Sequence, residues 1–387
     1  MKLIEGGWPA DIAVEPTLPG EYYTTEAIFR RELDRIWFDT WLLAGRSDQI
    51  AGPGDFFLRT VGDENVIVVR NREGHVSAFY NVCRHRGSRL CGEESGTFKS
   101  AAIRCPYHSW TYETHRGTLI AAPNIPEGQA GFDRSDFPLH AVRAESWAGF
   151  IWINFNPNAP ALAAALGLPE TAAFYQRYCL DALKLGELIS YDVQANWKVV
   201  MENGLECLHC SHIHPELSRC TPPTLPRHWL HEDLPESFVF RHSGGMEMAP
   251  EFEAVNIDGR TRRTRFSGLT ERDARTIYYA FIYPHVLFGF APDYVFFFSV
   301  WPLGVAQTKV HAYWLFDPGE IAKPGFDGSD AVAFWDTTNR QDWEACRLVQ
   351  QGSRSRMYRR GGVLVPNEWR VNTFRRYVLE LVPPAAR

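Results

Sequence analysis

Residues 81–112, NVCRHRGSRLCGEESGTFKSAAIRCPYHSWTY, set Cys83 one residue from His85 and Cys105 two residues from His108. No other feature constrains the fold as much. Two thiols and two imidazoles in such short pairs are a metal-ligand set, and the surrounding pattern says what carries it. From Asp55 to Phe155 the chain runs in short β-rich stretches, FFLRTV, NVIVVR, VSAFYNV and GFIWINF, with NREG reading as a hairpin turn. The four side chains are therefore expected at loop tips within a small all-β domain.

Zinc is one candidate, because two Cys and two His form a familiar structural zinc set. Zinc sets usually pair Cys with Cys and His with His, however, across at least two intervening residues. Here each short pair combines one of each. That suits a [2Fe–2S] cluster with two cysteines on one iron and two histidines on the other, where neutral imidazoles in place of thiolates ease reduction. Gly87, Gly96 and Pro106 can shape tight loops that aim backbone N–H groups at the sulfurs. Cys91, lying between the pairs, reads as a small buried hydrophobe.

A chain of 387 residues exceeds one ordinary core, so two domains are expected. A formal net charge of −6, with basic residues scattered among acids, gives no case for nucleic acid. No apolar run is long enough for a membrane span, and the N-terminus lacks the basic start and apolar stretch of a signal peptide. The expected address is cytoplasmic. There, eight cysteines point to metal rather than to a disulfide scaffold.

Along the chain, TTEAIFRRELDRIWFDTWLL carries Ile28, Phe29, Leu33, Ile36 and Trp37 on one helical face, with Thr24 or Thr25 as a cap. NPNAPALAAALGLPE, residues 156–170, reads as a domain boundary. Beyond it come a helix-like stretch through Met201–Cys210, β runs such as YAFIYPHVLFGF and YVFFFSVWPL, and a helical stretch over 334–357. Strands followed by long helices predict an α+β domain, a sheet packed against helices.

A second cluster of donors lies in NWKVVMENGLECLHCSHIHPEL, residues 196–217: Glu202, Glu206, His209, His212 and His214. Two histidines with a distant carboxylate form the facial triad of mononuclear non-haem iron. Helix geometry alone selects His209 with His212, three residues apart. His209 and His214, five apart, converge only if the helix breaks, which Pro215 makes plausible.

CRHRG and CPYHSW resemble the two ligand loops of the Rieske domain. Residues 196–217 resemble the Glu/Asp-x-x-His-x-x-x-x-His signature of Rieske non-haem iron oxygenases. Nineteen residues between His85 and Cys105 slightly exceed the family's usual spacing, an excess assigned to the GEESG turn. The resemblance implies that Cys83, His85, Cys105 and His108 hold the cluster and that His209 and His214 hold Fe(II). It makes Glu206 the carboxylate linking a neighbouring Rieske histidine to His209, and His212 a non-ligand. TNRQDWEACRLVQQG is similar to the late family segment that supplies an aspartate. Asp342 is the expected third ligand, sharing a helical face with Cys346 and Val349; Asp336, the competing candidate, reads as a surface or capping residue.

The fold implied is an N-terminal helical segment over 1–40, a Rieske domain over 41–160 and a catalytic domain of helix-grip type over 161–387. The resemblance also implies a terminal oxygenase alpha subunit in a homotrimer. Electrons would come from NAD(P)H through a separate flavin and ferredoxin-type reductase, since the chain has no GxGxxG after a strand and no second cysteine set. ECLHC, with Glu206 where many ring dioxygenases have Asp, resembles the subgroup oxidising quaternary ammonium compounds: glycine betaine, choline, carnitine and stachydrine. An N-methyl oxidation releasing formaldehyde is thus expected. An aromatic-ring hydroxylase or O-demethylase is the alternative, and a Rieske electron carrier a remoter one. Residues 227–268 read either as a substrate-access loop or as a surface insertion. The aromatics between Tyr278 and Trp314 read as sheet core.

Overall fold

In the computed structural model, the described residues are 14–167, 176–222 and 240–384, with the short strand pair Leu3–Ile4 and Trp8–Pro9. They divide into two compact units, one of Trp37–Leu162 and one of Met1–Ile36 with Ala163–Arg387. Among the described residues, no helix is long and apolar enough to cross a membrane.

The first unit is all-β. Its antiparallel seven-stranded sheet runs in the order Leu42–Arg46, Phe150–Asn154, Ala141–Trp147, Val76–Tyr80, Glu64–Arg70, Asp55–Val61 and Ser95–Thr97. Three shorter strands, Leu119–Ala121, Thr111–Glu113 and Ala102–Arg104, make a second sheet. Alternate residues Phe56 and Leu58, Ile67 and Val69 point into one core with Phe79, Ile103, Trp110 and Tyr112. NREG forms the turn between Glu64–Arg70 and Val76–Tyr80, with Gly74 at φ +83°. The additional residues after Cys91 do not end as a turn. Ser95–Thr97 pairs with Asp55–Phe57 as an edge strand, so the extra length satisfies backbone groups of the sheet.

The second unit has an antiparallel six-stranded sheet. Its order is Lys184–Val193, Gln307–Phe316, Val295–Gly304, Val286–Phe290, Thr276–Ile282 and Phe240–Glu247. Helices Trp197–Gly204 and Ser329–Ser353 pack against each other, and each also meets the sheet. The fold thus comprises a small all-β domain and an α+β domain with an antiparallel sheet and helices.

Two elements differ from the sequence reading. The N-terminal helix starts after Thr25 as expected, but a separate helical turn, Glu21–Thr24, precedes it, and Glu26–Glu32 continues as a π-helical turn, Leu33–Trp37. Thr25 sits at the cap position, but its hydroxyl donates to Glu21 O at 2.8 Å rather than capping. Within 227–268, residues 227–239 lie outside the described ones. Phe240–Glu247 is an edge strand, and the rest is pinned by buried Arg263, which pairs with Asp293 at 3.0 Å and Asp330 at 2.6 Å.

Candidate metal centres

The first centre is built by two loops. In the loop after Val76–Tyr80, Cys83 N–H donates to Ser88 O at 2.8 Å and Gly87 N–H returns to Cys83 O at 3.0 Å. Gly87 turns the chain at φ +68°, a conformation side chains disfavour. In the loop between Ala102–Arg104 and Thr111–Glu113, Cys105 N–H donates to Trp110 O at 2.8 Å and Ser109 N–H to Cys105 O at 3.1 Å. Both cysteines point into the apolar core. The Cys105 thiol is held below its ordinary range; burial works the other way, but the N–H groups of His108 and Tyr107 favour its thiolate. Tyr112 Oη accepts the Arg84 N–H at 3.1 Å, which leaves its own proton for Cys83 Sγ, 3.3 Å away.

The histidines face outward. His85 is exposed and His108 half-buried, with their Nδ1 atoms 3.2 Å apart. Trp110 stacks on the His85 ring at 4.9 Å and 12°. Two Nδ1 atoms at this distance need a proton or a metal between them, because facing lone pairs repel. Buried sulfurs at one end and converging imidazoles at the other fit a cluster with chemically distinct irons. Cys91 bonds Glu93 O through its thiol, away from this set.

The second centre arises from a helix that stops. Asn196 caps Trp197–Gly204 by accepting the Lys198 N–H at 3.1 Å. The chain then turns through Leu205–His209, makes the short helix Cys210–Ile213, and leaves it at His214 with φ −119° and ψ 74°. Pro215 opens the next helix, Pro215–Cys220. This break brings His209 and His214 together, ring centroids 5.2 Å apart. His212 is turned away: it is exposed and bonded to Ser211 Oγ.

The long helix Ser329–Ser353 supplies the acid. Asp342 Oδ1 lies 3.0 Å from His214 Nε2 and 3.4 Å from His209 Nε2. Gln341 Oε1 accepts from His214 Nδ1 at 2.7 Å, which leaves Nε2 as the electron-pair donor toward Asp342. Glu206 Oε1 accepts from His209 Nδ1 at 2.5 Å and orients that ring in the same way, while its other oxygen accepts the Leu208 N–H. Asp336 is elsewhere, accepting from Tyr191 Oη at 2.7 Å and pairing with Arg340. Cys346 is buried as expected, but Val349 is 51% exposed, so the apolar face ends a turn earlier than the sequence suggests.

Cys210 Sγ also lies close to both histidines. It is bonded to Cys207 in a disulfide, and a disulfide sulfur is a poor ligand beside a carboxylate. That leaves two imidazoles and one carboxylate, a set suited to iron(II) with open positions. The electrostatics agree. His209 is pushed up to about 9: burial opposes its charge, but Asp342 and Glu206 favour it more strongly. The same two imidazoles hold Asp342 below its usual range despite burial. A site that stabilises a proton here stabilises a metal cation in competition with it.

Beside these residues is a cavity of about 80 Å³. Tyr279 and Phe281 from one strand and Phe296 and Phe298 from another line it, together with Trp335. Trp335 lies 4.2 Å from Phe296, ring to ring. Gly289, opposite Phe296 in the sheet, gives that ring its room, since a Cβ there would sit 2.0 Å from it. Sequence reasoning treated these aromatics as core. Their two-residue alternation marks a shared sheet face, but a packed core has the same signature.

A cluster-binding β domain followed by an α+β domain with a two-histidine, one-carboxylate set defines an iron-dependent oxygenase. The sequence model of the ring hydroxylating alpha subunit (catalytic domain) matches residues 180–383, and that of the Rieske [2Fe-2S] domain matches residues 40–138. The glycine betaine monooxygenase oxygenase subunit of Pseudomonas aeruginosa is 30% identical over 367 residues, 89% of this chain and 84% of its own length. The carnitine monooxygenase oxygenase subunit of Acinetobacter pittii is 28% identical over 370 residues, 94% and 93% of the two chains. A solved structure of the quaternary ammonium Rieske monooxygenase CntA shares the fold, with a TM-score of 0.79 over 98% of this chain and 99% of that one at 24% identity. The chain belongs to the ring-hydroxylating alpha-subunit family of Rieske non-haem iron oxygenases. It is an oxidoreductase whose family cofactors are a Rieske [2Fe–2S] cluster and a mononuclear iron.

Proposed function

We propose that this chain is the terminal oxygenase of a monooxygenase system that oxidises an N-methyl group of a small quaternary ammonium compound. The observation that carries the reading is the cavity wall. Tyr279, Phe281, Phe296 and Trp335 offer aromatic faces, Glu206 and Asp342 are the carboxylates, and no Lys or Arg lines it among the described residues. Aromatic faces attract a methylammonium by cation–π interaction, and the two carboxylates add to the attraction for a cationic head. The named relatives, acting on glycine betaine and carnitine, support the same class.

Cys83, His85, Cys105 and His108 would hold the cluster, and His209, His214 and Asp342 the iron, within functional domains 41–160 and 161–387, with 1–40 as an N-terminal segment on the second. When bound, the cluster supplies single electrons and the iron activates oxygen. The chain's own residues do the rest. Gln341 and Glu206 fix the two imidazoles, and the aromatic wall orients the cation with a methyl group toward the three ligands. Glu206 keeps a lone pair on each oxygen for a second imidazole, the Rieske histidine of a neighbouring copy in a homotrimer. The net change is R₃N⁺–CH₃ + O₂ + 2e⁻ + 2H⁺ → R₃N⁺–CH₂OH + H₂O, and the product then releases formaldehyde. The electrons would come from NAD(P)H through a separate flavin-containing reductase, in the cytoplasm.

A single-turnover experiment tests this without the native reductase. The chemically reduced anaerobic protein receives oxygen and a panel of betaines, choline, carnitine and simple aromatics. Formaldehyde from a methylated cation is expected. A hydroxylated aromatic product instead would reject the proposed substrate class.

A further inference from the structure

A second cavity, of about 230 Å³, meets Glu206 and His209 from another side. On a scale where a water needs roughly 10–15 Å³, it has room for a chain of waters. Tyr23, Glu202, Glu368 and Arg375 also line it. Of its carboxylates, Glu206 is engaged by His209 and the Leu208 N–H, and Glu368 accepts the Val365 N–H. Glu202 differs. Among the described residues its side chain bonds only to the Tyr23 hydroxyl, at 2.9 and 3.1 Å from its two oxygens. The nearby ammonium, Lys198, donates to Glu32 Oε2 at 2.8 Å and Asn196 Oδ1 at 2.7 Å and pairs with Glu32 Oε1 at 2.6 Å; among the described residues it makes no hydrogen bond to Glu202.

We propose that Glu202 is the proton store for the Glu206–His209 pair, exchanging protons with cavity water as electrons reach the iron. This rests on the proposed passage of electrons through that pair. Each electron adds a negative charge to a poorly solvated site. Uptake of one proton from cavity water, –COO⁻ + H⁺ → –COOH at Glu202, cancels it; Glu202 then gives that proton to the site and takes up a second with the second electron, so the two protons delivered equal the two that the reaction consumes. Glu202 is placed to do this near neutrality. Burial pushes its carboxyl up to about 7, against the Tyr23 hydrogen bond and the Lys198 charge, with Glu368 and Glu32 adding to the rise. Tyr358, Arg375 and the Cys346 thiol complete the titratable groups facing the cavity.

The test compares wild type, Glu202→Gln and Tyr23→Phe in two readouts. In the iron-loaded protein without substrate, the potential of the mononuclear iron is followed against pH. Proton uptake on reduction makes the wild-type potential flat below about pH 7 and falling above it. Glu202→Gln should lose that break, and Tyr23→Phe, which removes a bond to the carboxylate, should move it to higher pH. In the metal-free protein, an infrared titration should show a buried carboxyl band that Glu202→Gln lacks. Reoxidation of the cluster at pH 8 should slow at least about tenfold in Glu202→Gln. A break and an infrared band unchanged in both variants would overturn the proposal. Failure of every substrate in the turnover panel would overturn the substrate reading alone, since neither primary readout uses substrate.

Discussion

The two donor sets are assembled from the sequence in different ways. The four residues of the first lie within 83–108, on two loops whose turns close on themselves through bonds such as Cys83 N–H to Ser88 O. The second ties its imidazoles, 209 and 214, through local bonds such as His214 N–H to Cys210 O, but draws its acid from 342. Its geometry exists only once the helix Ser329–Ser353 has packed against Trp197–Gly204. A local site is legible as a motif; a distributed site is legible only in part.

That contrast can be broken by mutation. The largest effect is expected from Cys83→Ser. Loss of one buried thiolate should abolish the cluster's visible absorption and acid-labile sulfide, with turnover undetectable and mononuclear iron content near normal. An unchanged spectrum would remove Cys83 from the ligand set. Asp342→Ala should do the converse: the cluster stays, iron falls below about a tenth of wild type, and turnover falls at least about a hundredfold. Full iron in that variant, measured by metal analysis, would mean the third ligand is another residue. Glu206→Gln should leave both metals bound and slow cluster reoxidation by roughly a hundredfold, as stopped-flow absorbance would record; normal reoxidation would deny Glu206 any bridging role. The smallest effect sharpens the comparison instead. Tyr112→Phe removes one hydrogen bond to Cys83 Sγ, worth about 1 kcal/mol, and should lower the cluster potential by roughly 40 mV while leaving the mononuclear iron untouched. Equal shifts at both sites would argue against independent centres.

How much was readable follows from the same physics. The loop cysteines and histidines, the turn at Asn71–Gly74 and the alternating strands of the β unit are local patterns, and all appear where expected. His209 with His214 defies helical spacing, and resemblance, not periodicity, selected that pair over His209 with His212. The structure supplies the reason, a helix that ends at His214 before Pro215. Asp342 was reached through a segment resemblance and a helical face, although that face turned to solvent at Val349. The Cys207–Cys210 disulfide, the Glu202–Tyr23 pair and the cavity aromatics were not singled out. Tyr23 and Glu202 meet across 179 positions of sequence, and no period links such distant residues.

One consequence of the outward His85 and inward Cys83 and Cys105 concerns traffic. With its sulfur end insulated by Phe56, Ile67 and Ile103, the first centre has one terminal, the imidazole edge. If a neighbouring copy's Glu206 is seated on that edge, as proposed above, the reductase has to deliver its electron from the surface flanking the two rings, and the neighbour need not leave between electrons.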